Sequence, residues 1–184
     1  MAELACQELW FVNDVNGHDL VFLLGNFQGT TPQGQYNLSK LVFDMILPYD
    51  PSMIVTLGGY GTGAAVSDPR VLGAVSDSKL KSTMEGFGVG FYPGEPQGGI
   101  VGAAAMLLGL GKIHDIDSVC IMGETSGYIV DHKSARNVLG VLGRMLGIEI
   151  DTSELQAGID QIDEINRKAL GKAPEPEEDL TYIR

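Results

Sequence analysis

Residues 53–63 read Met-Ile-Val-Thr-Leu-Gly-Gly-Tyr-Gly-Thr-Gly, an unbroken apolar run set between Pro51 and a cluster of glycines. A strand with one wet face alternates apolar and polar residues, so the continuous run Met53–Leu57 predicts a strand covered on both faces. Upstream, Tyr36, Leu38, Leu41, Val42, Met45 and Ile46 recur near i, i+3, i+4 spacing from Gly34 until Pro48 interrupts them. That period predicts an amphipathic helix. Further back lie Leu20–Gly25 (L-V-F-L-L-G) and Leu9–Val12, separated by the turn formers Asn13, Asp14, Asn16 and Gly17. They read as two strands and a turn. Strand, helix and buried strand in succession form the βαβ pattern of an α/β domain.

Downstream, the sequence predicts strands at 70–75 and 87–92, a short helix at 77–85, a helix rich in small residues at 99–112 and a strongly apolar strand at 118–122. Asp131 is placed to cap a helix whose apolar face is Ala135, Val138, Leu139, Leu142, Met145 and Leu146, with Gly147 as its left-handed stop. Asp151 and Glu154, in capping-box spacing, open a last helix with the stripe Leu155, Ile159, Ile162, Ile165 and Ala169. After Gly171, two prolines and four acids predict a flexible tail with an apolar tip. The chain divides into an α/β domain at 1–150, a helix beside it at 151–172 and an acidic tail at 173–184.

The chain has 184 residues, 44% hydrophobic and 20% charged. A chain of this size buries roughly 70% of its unfolded surface and supports its own core. Its net charge of −12 repels phosphate backbones and anionic lipid heads, which excludes nucleic acid and membrane surfaces as partners. Residues 149–184 hold ten acids against four bases, half of that net charge. Two cysteines make no disulfide framework, Cys6 and Cys120 lack zinc-ligand spacing, and residues 1–9 carry no basic signal-peptide flank. The stretch 96–111 is too short for a membrane span. These features predict a soluble cytoplasmic protein with no metal and no cofactor.

Glycine-rich turns raise the question of a small-molecule site. Gly58–Gly63 follows a buried strand, but Asp68 and Pro69 intervene before any helix, so it is not a dinucleotide fingerprint. Glu124, Thr125 and Ser126 lie just past the apolar strand 118–122, at the edge where α/β sheets form ligand crevices. With Gly59 and Gly61, and with Gly98 and Gly99 before a helix N-terminus, they outline a candidate crevice for phosphate or a nucleoside. Ser126 is one position off a nucleophile elbow, and the three histidines form no catalytic pair, so no catalytic constellation emerges. The tail makes a second candidate. Leu180, Tyr182, Ile183 and Arg184 end an acidic segment in the manner of C-terminal peptides that are captured by a partner's pocket.

Four stretches in order, G-N-F-Q-G-T-T-P-Q-G-Q-Y from Gly25, T-L-G-G-Y-G-T-G from Thr56, G-G-I-V-G-A-A-A-M-L-L-G from Gly98 and G-E-T-S-G-Y from Gly123, resemble the proteasome assembly chaperone 2 family. Asp131 with Ala135 and the segment Leu146–Leu155 also match its pattern. The resemblance implies a three-layer α/β sandwich with a mostly parallel central sheet, similar to purine nucleoside phosphorylases, and about one more βαβ unit ahead of Leu9. It implies a non-enzymatic chaperone that binds proteasome α-subunits during core-particle assembly, often as a homo-oligomer. Relatives dock a C-terminal hydrophobic-Tyr-any motif, and here Tyr182 stands third from the end. The competing expectation is a phosphate- or nucleoside-binding protein or enzyme built on the same fold.

Overall fold

The structure, a computed structural model, describes residues 6–96, 99–128 and 130–164, together with the backbone of the last helix as far as Leu170. Strands β1 (Gln7–Val15) and β2 (His18–Gly25) form an antiparallel hairpin. Its two-residue loop, Asn16-Gly17, has φ of 51° and 81°. A tight hairpin needs left-handed backbone at both positions, which Asn-Gly supplies. The register shifts between Val12 and Val15, forming an irregularity at Asp14.

Helix α1 (Pro32–Ile46) opens at Thr31, whose hydroxyl accepts the Gly34 N–H at 3.0 Å, with Pro32 in the first turn, where its missing N–H costs nothing. Then follow β3 (Met53–Gly61), β4 (Val71–Val75), a 3₁₀ turn (Ser78–Leu80) running into α2 (Lys81–Gly86), α3 (Ala103–Ile113), β5 (Asp117–Thr125), α4 (His132–Leu146) and α5 (Ser153–Leu170). The second sheet has the order β3-β5-β4, with β3 parallel and β4 antiparallel to the central β5.

Alternation along β5 decides what covers each face. Val119 and Ile121 pack with Val71, Met84, Val138 and Val141 on the α4 side. Phe43, Ile54 and Leu110 form the core under α1 and α3. Small residues bring the layers close. A Cβ on Gly123 would collide with the Ser134 hydroxyl of α4, and one on Gly111 of α3 would collide with that of Ser118. Helix α5 lies along α4, antiparallel to it, with Lys133 paired to Asp163 at 3.1 Å and Arg136 hydrogen-bonded to Gln156.

The α/β class holds, but the sheets are mixed rather than mostly parallel. β2 pairs with β1 and lies outside the β3-β5-β4 sheet, so β2-α1-β3 is not a βαβ unit; the parallel neighbours β3 and β5 are joined through β4, α2 and α3. The Asn-Gly turn satisfies β2 locally. No strand forms at 87–92, where only Gly90 bridges to Leu72, because Gly88 at φ 89° turns the chain away. Helix α3 begins at Ala103 rather than Gly99, since Gly99 and Gly102 both sit at φ 80°. At α5 the helix starts at Ser153, and Asp151 accepts the Ser153 N–H at 2.9 Å from one residue ahead of the cap position.

Candidate functional site

The C-terminal ends of β3 and β5 bring several of the expected crevice residues together. In the parallel register Gly59 stands beside Gly123, Tyr60 beside Glu124 and Gly61 beside Thr125. A Cβ on Gly59 would come within 3.2 Å of the Thr125 methyl. The hydroxyls here face their own loop: Thr125 Oγ1 accepts the Gly127 N–H at 3.4 Å and Ser126 Oγ accepts the Tyr128 N–H at 3.3 Å. Gly99 lies in the irregular segment before α3, and Gly98 lies outside the described residues. The N-terminus of α3 is met by Gln28, whose Oε1 accepts the Ala103 N–H at 3.3 Å.

Glu124 is the only buried carboxylate among the described residues, and it is fully engaged. Its Oε1 accepts from Arg70 Nε at 2.9 Å and from Nη2, and its Oε2 accepts the Arg70 backbone N–H at 2.9 Å. Arg70 also pairs with Glu95 at 3.3 Å and lies 4.6 Å over the Tyr92 ring. These hydrogen bonds hold the Glu124 carboxyl below its ordinary range, against the upward pull of its burial, and they raise Arg70 in turn. Sequence spacing did not suggest Arg70, which is 54 positions from its partner. The pair extends the β4–β5 ladder by one residue, because the Glu124 N–H donates to the Arg70 carbonyl at 3.0 Å. A carboxylate occupied by three donors has little capacity left for a ligand.

What this edge does present is apolar. Val101, Tyr128 and Val130 are 83%, 82% and 74% exposed. The hairpin presents more: Trp10, opposite Phe22, and Leu24, opposite Glu8, share an outward face, while Phe11 on the other face touches Tyr49 with ring centroids 5.5 Å apart. A lone two-stranded hairpin is marginal in water, and exposed apolar patches of this kind mark interaction sites. Sequence reading took these runs as two strands and a turn and did not say what covers them; apolar residues on both faces look the same whether neighbours or a partner cover them.

Behind α4 lies an open groove of about 550 Å³ lined by Arg136, Leu139, Arg144, Ile148, Glu149 and Ile150. Its floor is low because Gly140 and Gly143 carry no side chains; a Cβ on Gly143 would meet the Ile148 carbonyl at 2.9 Å. Arg144 Nε donates to the Phe87 carbonyl at 2.8 Å. Among the described residues neither arginine is paired with a carboxylate. Among them also, no cluster of His, Cys, Asp and Glu could hold a metal, and no helix is long and apolar enough to cross a membrane. The expected tail residues Leu180, Tyr182, Ile183 and Arg184 lie outside the described residues.

The chain matches the model of the PAC2 family over residues 1–170. The uncharacterized protein MJ1210 of Methanocaldococcus jannaschii is 32% identical over 191 aligned positions, which cover 98% of this chain and 72% of that protein. Among solved structures, the fold is similar to that of Pyrococcus furiosus PbaB, an archaeal proteasome activator, with 33% identity and a TM-score of 0.80 over 91% of this chain and 72% of that one. It is also similar to P. furiosus PbaA, an archaeal homolog of proteasome-assembly chaperone, with 20% identity and a TM-score of 0.72 over 90% of this chain and 71% of that one. The likeness to PbaA is one of fold.

Proposed function

Because the chain belongs to the PAC2 family, we propose that it is a non-enzymatic, cytoplasmic chaperone that binds proteasome α-subunits and assists core-particle assembly as a homo-oligomer. One observation carries the reading: the surfaces that stand open are apolar and aromatic, on the hairpin and around Val101, Tyr128 and Val130, while the one buried carboxylate among the described residues is spent on Arg70. Such surfaces suit protein contacts better than bond chemistry. In this reading the unit 1–150 is a three-layer frame of the nucleoside-phosphorylase kind. The acidic helix at 151–172 faces a basic α-subunit surface, and the tail 173–184 grips through Leu180, Tyr182, Ile183 and Arg184.

Capture of α-subunits by the full chain and by a chain ending at Gly171 tests it. The full chain captures and the shortened one loses most of its capture; equal capture by both removes the tail from the account, and no capture by either removes the partner. Turnover of a nucleoside with phosphate would overturn the non-enzymatic reading. Because PbaB is an activator, a second assay, peptide hydrolysis by preassembled core particles, separates activation from assembly on the same partner.

A further inference from the structure

We propose that the groove behind α4 is the resting berth of this chain's own acidic tail, residues 173–184. Two features point to that occupant, charge and reach. In a molecule of net charge −12 the groove carries Arg136 and Arg144 without carboxylate partners, either side of an apolar floor at Leu139, with Glu149 at the far end. The segment beyond α5 carries the complementary order: the acids Glu175, Glu177, Glu178 and Asp179, then the apolar Leu180, Tyr182 and Ile183, then Arg184.

Helix geometry sets the register. Arg136 is level with Gln156 of α5, and Leu170 is fourteen residues further along, about 21 Å at ~1.5 Å per residue. Arg144 lies two more turns the other way along α4, about 12 Å, so roughly 33 Å separates its level from the end of α5. Gly171 and Pro174 are residue types that reverse a chain. Three residues suffice to cross the ~10 Å between helix tracks. From there an extended tail advances ~3.3 Å per residue: Glu178 and Asp179 come to about 17–20 Å, next to the level of Arg136, and Leu180–Ile183 pass over Leu139 and Gly140 at about 23–33 Å. Arg184 follows at about 36 Å, with its guanidinium toward Glu149. The missing side chains at Gly140 and Gly143 leave room for a backbone to lie close.

This deepens the proposed function, since the segment taken to grip α-subunits would be held back until a partner competes for it; the contact itself stands or falls independently. The test uses the full chain carrying Cys6→Ser and Thr181→Cys with a nitroxide on the new thiol, leaving buried Cys120 unlabelled. Amide NMR signals of Leu139, Gly140 and Gly143 lose most of their intensity, those of α1, which packs on the other face of the sheet, do not, and the loss is reversed by high salt. Arg136→Glu with Arg144→Glu restores the signals. Glu178→Gln with Asp179→Asn restores them as well. Undiminished groove signals in the parent chain, or losses untouched by both charge variants, overturn the proposal. So do losses that also appear when nitroxide-bearing unlabelled chains are mixed with isotope-labelled chains lacking the nitroxide, since the tail would then berth on another copy. Failure of α-subunit capture leaves these readouts unchanged, so the two ideas can fail separately.

Discussion

Replacing Glu124 by Gln keeps the shape of the side chain and removes its charge. In the native chain three N–H groups of Arg70 converge on the carboxylate. An amide offers one accepting oxygen and turns an NH₂ donor toward other donors. A hydrogen bond to a charged group contributes about 1.5–3 kcal/mol, and a buried donor left without a partner costs a similar amount. The Arg70 side chain is 43% exposed and regains water, so the loss falls at the lower end, about 2 kcal/mol. For a chain of this length that lowers Tm by about 4–8 °C. The pH dependence has a definite sign. The folded carboxyl sits below its ordinary value of 4.5, so its contribution is complete above that value and fades as pH falls through the lower folded one. Urea unfolding followed by far-UV circular dichroism, stepped from pH 7 down to pH 3, therefore shows a gap between parent and Gln variant that narrows in acid. A gap of the same size at both ends, or a Gln variant as stable as the parent at pH 7, refutes a structural role for this pair.

Three further outcomes follow from the packing. Gly123→Ala forces a methyl onto the Ser134 hydroxyl and against the Ser134 carbonyl and the Val138 side chain, the latter two 3.1 Å from its position, and costs about 1–3 kcal/mol in urea unfolding; an unchanged midpoint would mean that α4 stands further off. Burial pushes the Cys120 thiol up and shields it, so a soluble alkylating agent labels Cys6 alone in the native chain and both thiols in denaturant; native labelling of Cys120 counts against the β5 core. Trp10, the single tryptophan, is 57% exposed, so its emission is red-shifted and iodide quenches it in the dilute chain. Both effects diminish when chains self-associate or α-subunits bind, and a Trp10 indifferent to concentration and partner denies the hairpin a place in any interface.

The parts of the fold legible in the sequence were those decided by local chemistry. Asn16-Gly17 announces a tight turn, and Asp131 and Gly147 mark the two ends of α4, where the Asp131 carboxylate accepts the Ser134 N–H at 3.0 Å and Gly147 adopts φ 64°. Each depends on residues within one turn of itself. Long-range pairing was not legible: nothing near Val71 says that β4 runs antiparallel to β5, or that Arg70 meets Glu124. The start of α3 was misplaced because Gly99 permits both a helical and a left-handed backbone. At the candidate site, the placement of Gly59, Gly61, Glu124 and Thr125 at the strand ends was legible because that edge is general to α/β sheets, whereas the Arg70 clamp and the groove arise from distant segments meeting.

At the tip of the hairpin, Asn16 Nδ2 donates to the Leu146 carbonyl at 2.8 Å and to that of Gly147 at 3.3 Å. A helix leaves its last carbonyls unsatisfied, so an amide from 130 positions away acts as the cap of α4. The hairpin tip is thereby tied to the C-terminal end of the helix that forms the groove floor, and it meets that helix at Gly147, a residue that itself lines the groove.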